Sequence, residues 1–138
     1  MKTATQFRPG FRISKIDVAV LLLGALGATS VARFDESLGF GLAFTVAHFF
    51  LFCNVLRMAR SLELSWAALF VLLAASTLLH GMPSWGHTFA VMLCVTLIFA
   101  ALQLRKPSYH GIFWKRINPN LPQWWAQQTQ SSRDAARH

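Results

Sequence analysis

The chain has 138 residues, of which 54% are hydrophobic and 13% are Asp, Glu, Lys or Arg, with a formal net charge of +8. Soluble domains carry about 25% charged residues, so this composition argues against a water-soluble globule and a disordered tail, and two cysteines make no disulfide scaffold. The length is that of one domain, and such a sequence reports location and topology far better than activity.

Residues 1–15 read as a basic N-terminus carrying Lys2, Arg8, Arg12 and Lys15. Val18–Ala32 is free of charged residues, and its flanks extend it to a first span near 16–34. Asp17 and Arg33 would then reach for the headgroup layer, as charged side chains near helix ends do. A basic leader, the apolar run Val18–Gly27 and Ser30-Val31-Ala32 also resemble a signal peptide cut after Ala32. The leader ahead of Val18 is long for that role, which favours a retained span. Ser37–Leu56 is a second run without charge and predicts a helix near 38–58. Leu64–Leu104 is a third, long enough for two crossings of about 20 residues each. The turn signal Gly81-Met82-Pro83-Ser84-Trp85-Gly86 splits it into helices near 62–80 and 86–105.

The expected fold is therefore all-α: a four-helix transmembrane domain over 16–105, arranged as two helical hairpins. The runs are too long for strands and lack period-two alternation. None has the continuous polar face of a soluble helix, and in lipid a helix satisfies its own backbone. With four spans, every basic residue except Arg33 falls on one side. The positive-inside bias places that side, and both termini, in the cytoplasm. The strong asymmetry suggests a plasma (inner) membrane.

Beyond Arg105 the composition shifts. Residues 106–125 interleave Tyr109, Phe113, Trp114, Trp124 and Trp125 with Lys115, Arg116, Asn118 and prolines. Aromatics beside cations suit the headgroup layer, so this segment is expected at the membrane interface. Residues 126–138 are polar and are expected to be a mobile tail.

Small residues recur every four positions: Gly24 and Ala28 in the first helix, and Gly39, Ala43 and Ala47 in the second. That spacing lets helix backbones approach closely in lipid. Packing of the first helix on the second is the favoured reading, ahead of a dimerisation stripe.

Few groups could carry chemistry. His48, mid-span between Ala47 and Phe49, is the foremost candidate, because an ionisable group at that depth is a functional hypothesis by default. It could ligate haem iron with Phe49 and Phe52 packing on the macrocycle. His80 and His87, however, lie near the far membrane face, ~15 Å away along a helix axis. His80, Met82 and His87 could bind copper, although a turn with an interfacial Trp85, and Ser84 capping the fourth helix, explains the same residues. Asn54, Arg57, Arg60 and Glu63 share one side of a helix exit. They could form an anion or lipid-headgroup site or a local Arg60–Glu63 pair. Arg57 and Arg60, together with Lys115, Arg116, Trp114, Trp124 and Trp125, are the expected contacts to anionic lipid or a partner. Cys53 and Cys94 read as small apolar residues, there being no CxxC. No catalytic motif occurs, so neither an enzymatic site nor a resident metal or cofactor is expected.

The expected function is that of a small integral membrane protein without its own catalytic site, serving as an accessory, assembly or scaffold subunit of a membrane complex. Its expected partners are the lipid bilayer and other membrane subunits or itself, not nucleic acid. Two alternatives are a haem- or metal-binding redox subunit centred on His48, and a small transporter or channel component with Thr45, Thr77, Thr96 and Gln103 among its few polar lining residues.

Overall fold

The computed structural model describes residues 9–135, apart from the side chain of Asp134. They form α1 (Lys15–Ala32), α2 (Glu36–Phe50), a π-helical turn that continues α2 (Leu51–Leu56), α3 (Arg60–His80), α4 (Trp85–Leu104), a short α5 (Trp114–Ile117) and α6 (Leu121–Ala135). Every regular element among the described residues is helical. Four of the helices are long and apolar enough to cross a membrane: α1, α2 with its π-helical continuation, α3 and α4.

Local chemistry sets where each begins and ends. At the start of α1, Ser14 Oγ accepts from the Asp17 amide (3.1 Å) and Asp17 Oδ2 from the Ser14 amide (2.7 Å). This reciprocal capping box satisfies two otherwise orphaned N–H groups. Asp35 Oδ1 takes the Leu38 amide at 3.0 Å and starts α2 at Glu36, two residues ahead of the expected position. At its other end α2 does not run straight to residue 58. The Arg57 amide bonds Phe52 O, and Arg57 adopts left-handed backbone geometry with φ 48°, uncommon for a residue other than glycine. The Met58 amide also reaches Phe52 O (2.8 Å), closing the helix abruptly. Gly81, at φ 70°, ends α3 in the same left-handed region, where glycine meets no Cβ penalty. Ser84 occupies the N-cap of α4, but its hydroxyl bonds His87 Nδ1 (2.8 Å) rather than a helix amide.

Helix α2 is central. On one side it meets α1 at backbone contact. A Cβ on Gly39 would lie 2.6 Å from Ala32 Cα and 2.7 Å from Ala32 N, and one on Gly24 would lie 2.8 Å from both Val46 methyls. Ala28 is buried in α1. Of the small residues expected at this contact, Gly24, Ala28 and Gly39 are there, whereas Ala43 and Ala47 are exposed. The contact face of α2 runs instead through Gly39, Leu42 and Val46, since Gly27 sits over Leu42.

On the other side, rings fill the space between α2 and the packed pair α3 and α4. Phe44 lies 6.0 Å from Trp66 and 5.9 Å from Phe70, Phe52 lies 5.4 Å from Trp66, and Phe40 lies 4.8 Å from Phe89 (centroid distances). Such pairs add about 0.5–1.5 kcal/mol each beyond the area they bury. Phe52, Leu56, Met58, Trp66 and Met92 form the buried core.

Polar ties cross the α3–α4 contact at two levels. Trp66 Nε1–H donates to Thr96 Oγ1 (2.9 Å), which donates to Met92 O (2.8 Å). Thr77 Oγ1 lies 3.1 Å from Thr88 Oγ1 and 2.7 Å from Pro83 O. Replacing Trp66 by phenylalanine keeps a ring in the stack but removes the donor to Thr96. Thermal unfolding in detergent is expected to show a loss of about 1 kcal/mol.

The end of the helical set that holds the start of α1, the α2–α3 junction and the end of α4 also carries the chain beyond Leu104. The expected mobile tail is, from Ala126 to Ala135, continuous with α6. Its hydroxyls turn inward, Thr129 Oγ1 onto Trp125 O (2.9 Å) and Ser132 Oγ onto Gln128 O (2.8 Å), and its Gln, Ala and Arg residues favour helix. Residues 136–138, like Lys2 and Arg8, lie outside the described residues.

Candidate functional site

His48 arrives in the middle of the aromatic layer. Phe40, Phe44, His48 and Phe52 follow one another at four-residue spacing along α2, so their side chains share a stripe. His48 is 7% exposed. Its Nδ1–H donates to Phe44 O one turn back (2.8 Å), leaving Nε2 as the lone-pair nitrogen. The Trp66 indole stacks on the imidazole at 4.8 Å and 16°, Phe44 tilts against it at 4.1 Å, and Phe52 meets it edge-on at 5.8 Å. The imidazole is thus held as one more ring of the stack. His80 lies fourteen residues beyond Trp66 on α3, about 20 Å along the axis. His87, bonded to Ser84, lies nine residues before Thr96, the partner of Trp66, about 13 Å along the α4 axis. Neither can share an iron with His48. Among the described residues, no three His, Cys, Asp or Glu side chains gather as a metal would require.

The second candidate is the polar junction at the basic end. Asn54 is buried, and its amide nitrogen, facing two acceptors, donates to Asp17 Oδ2 (3.2 Å) and Arg12 O (2.9 Å). It therefore ties α2 to the first turn of α1. Cys53 Sγ–H donates to Glu63 Oε1 (3.3 Å), so the carboxylate expected to pair with Arg60 has a thiol partner. Gln103 Nε2 donates to Arg57 O (3.2 Å), while its buried Oε1 finds no hydrogen-bond partner among the described residues. Arg57 is half-buried and lies beside Arg12. Desolvation first, and the neighbouring guanidinium second, hold Arg57 below the usual arginine value, although a guanidinium remains charged at any physiological pH.

Across this junction runs the segment that follows α4. Tyr109 is fully buried and its hydroxyl donates to Ile112 O (2.8 Å). Burial pushes its phenol above the ordinary tyrosine value. The Ile112 amide caps α2 by donating to Val55 O (2.8 Å), and the Gly10 amide donates to His110 O (2.8 Å). Phe11 meets Phe50 edge-on at 6.3 Å. The N-terminal approach, the end of α2 and the 109–112 loop are thereby fastened to one another. Replacing Tyr109 by phenylalanine leaves Ile112 O, which is half-buried, without this donor. An expected cost of about 1–3 kcal/mol is read from unfolding of the purified variant.

The remaining expected contacts are not gathered into one site. Arg60 is exposed at the start of α3. Lys115 and Arg116 are exposed on α5, with Lys115 Nζ 5.9 Å from the centre of the Trp114 ring. Trp124 and Trp125 lie half-buried on α6, 6.4 Å apart. Sequence reasoning missed the roles of Tyr109, Gly111 and Gln103. A glycine within the aromatic–basic segment was the one local signal that a backbone passes close by. Comparison with protein-family models, with curated proteins and with solved structures finds no match.

Proposed function

We propose that the chain is a polytopic membrane protein, its four long helices crossing a plasma (inner) membrane as two hairpins with both termini cytoplasmic, and that it serves as an accessory, assembly or scaffold subunit of a membrane complex without a catalytic site of its own. The observation that carries the membrane reading is the outward surface of the helices. Leu22, Leu26, Leu72, Leu79 and Leu97 are between 64% and 77% exposed. An apolar surface of that extent is untenable in water and natural in lipid. The orientation is supported by charge. Arg12, Lys15, Arg57, Arg60, Arg105 and Lys106 sit at the helix ends of one side, with Arg33, Asp35 and Glu36 at the other, as the positive-inside bias requires.

The subunit role is supported by what the polar groups do. Thr29, Ser30, Thr45 and Ser65 turn their hydroxyls onto carbonyls of their own helices, and His48, Trp66, Thr77 and Thr96 bond within the helical set. The first group is satisfied within single helices, and Trp66, Thr77, Thr88 and Thr96 tie α3 to α4, which supports packing rather than transport as their role. Lipid and neighbouring membrane proteins, rather than nucleic acid, are the partners such a surface suits.

Gentle extraction into mild detergent, followed by mass measurement, tests the role. Protein retained with the chain, or a defined homo-oligomer, is the expected result. A lone monomer overturns the subunit reading. An absorption band from a bound cofactor that vanishes in His48→Ala overturns the non-catalytic one. Labels placed at the two termini and found on opposite sides of the membrane overturn the topology.

A further inference from the structure

One cleft lies outside the aromatic layer and the polar junction. It has a volume of about 300 Å³ and opens between the segment that follows α4 and the first turns of α6, lined by Pro107, Asn118, Asn120, Gln123, Trp124 and Gln127. That volume is at the lower end of ligand sites, about 300–1,000 Å³. The lining has a definite chemistry: four carboxamides, one indole, and no charged side chain. Asn120, Gln123 and Gln127 each carry donors and an acceptor and Asn118 keeps its oxygen as an acceptor, the complement of a hydroxyl group. Asn118 is already fixed, its Nδ2 donating to Pro107 O and Tyr109 O, so one wall of the cleft is rigid. Trp124 adds an indole to the lining, apolar surface that suits the C–H side of a polyol.

Position narrows the ligand further. Pro107 stands three residues after Leu104, the last residue of α4. If α4 crosses a membrane, the cleft lies at headgroup height, where indoles concentrate. Lys106 precedes Pro107 and Arg116 lies two residues before Asn118 in the chain, the nearest cations in sequence for a phosphate.

We infer that this cleft receives the hydroxyl-rich headgroup of an anionic phospholipid, with the polyol on the carboxamides and the phosphate paired with Lys106 and Arg116. A serine or ethanolamine headgroup would bring an ammonium for which the lining holds no carboxylate. The inference rests on the membrane reading above, and the test separates the two.

The full chain in detergent is titrated with short-chain phosphatidylglycerol, with short-chain phosphatidylserine of the same net charge, and with free glycerol phosphate. Tryptophan fluorescence and native mass measurement follow binding. Phosphatidylglycerol is expected to bind about fivefold tighter than phosphatidylserine, with glycerol phosphate competing. The double variant Gln123→Ala/Gln127→Ala, which keeps good helix formers at both positions, loses the preference but keeps the binding common to both lipids. Lys106→Gln/Arg116→Gln weakens both. Equal binding of the two lipids, or a preference that survives loss of the two glutamines, overturns the inference. A chain that stays dispersed in buffer without detergent overturns the membrane reading instead. The glycerol phosphate titration of the parent and double variant then decides the cleft alone, and no difference between them rejects it.

Discussion

Replacing Gly39 by alanine is expected to separate α1 from α2. The added methyl has no room: its carbon would fall 2.6 Å from Ala32 Cα and 2.7 Å from Ala32 N, both backbone atoms. Flexible side chains can swing aside, but a helix backbone moves only as a unit. Overpacking in a closed contact costs about 1–3 kcal/mol, and more where the backbone itself must shift. The tight connection after Ala32, where Phe34 and Asp35 both donate to Val31 O (2.9 and 3.0 Å), leaves little slack to absorb that shift. Opening here also strains Asn54 against Asp17 at the far end of the same helix pair. The measurement is thermal unfolding in detergent beside two controls. Gly86, with nothing within 4 Å of its would-be Cβ, should accept alanine without loss. Ala43 and Ala47, though on the same four-residue spacing as Gly39, are exposed and should accept valine. If Gly39→Ala unfolds no earlier than Gly86→Ala, the close approach of α1 and α2 is wrong.

That contrast between Gly39 and its neighbours shows what a sequence can and cannot convey. Four long apolar helices were legible because length and missing charge are properties of each segment alone. The rotation of α2 was not. Small residues at spacing four mark a face without saying which neighbour it meets, and Leu42 and Val46, not Ala43 and Ala47, complete the contact with α1. The abrupt end of α2 was hidden for a different reason. Nothing between Leu51 and Leu56 demands a π turn. One of its last carbonyls is satisfied by Ile112, far along the chain, and a tertiary cap leaves no mark in local propensity.

His48 falls between these cases. Its place in the middle of an apolar run could be read directly, but of the two rings expected beside it only Phe52 is there, Phe49 being exposed and Phe44 taking its place. The Trp66 indole lying flat on its imidazole could not be read, because that pairing depends on how α2 and α3 are turned toward each other. The same histidine is a candidate ligand in isolation and one layer of an aromatic stack in context. In α6 the polar sequence gave no apolar periodicity to trace beyond Trp125, so a helix built on good helix formers and back-bonded hydroxyls went unread.

The second large effect is expected at Gly111. Its backbone crosses the end of α2 so closely that a Cβ would lie 2.7 Å from each of Val55 O, Leu56 O and Tyr109 Oη. Val55 O already accepts from the Ile112 amide and the phenol is committed to Ile112 O, so neither can yield without breaking a bond, and Leu56 O is fixed in the helix backbone. Gly111→Ala should therefore lift the 109–112 loop. It would break the Ile112 amide's bond to Val55 O and loosen the His110 carbonyl from Gly10, adding about 1 kcal/mol for each lost bond to an overpacking cost of about 1–3 kcal/mol. The consequence should be local before it is global, because the aromatic layer between α2, α3 and α4 does not depend on this loop. Limited proteolysis should show faster cleavage within 106–118 at temperatures where the helical content, monitored by circular dichroism, is unchanged. Asn118 bonds the carbonyls of Pro107 and Tyr109, so the displaced loop should also carry the carboxamide cleft with it. The same variant should then lose the preference for a hydroxylated headgroup, although Gly111 does not line that cleft. Retention of both the protection and the preference in Gly111→Ala would mean that the loop is not seated on the end of α2.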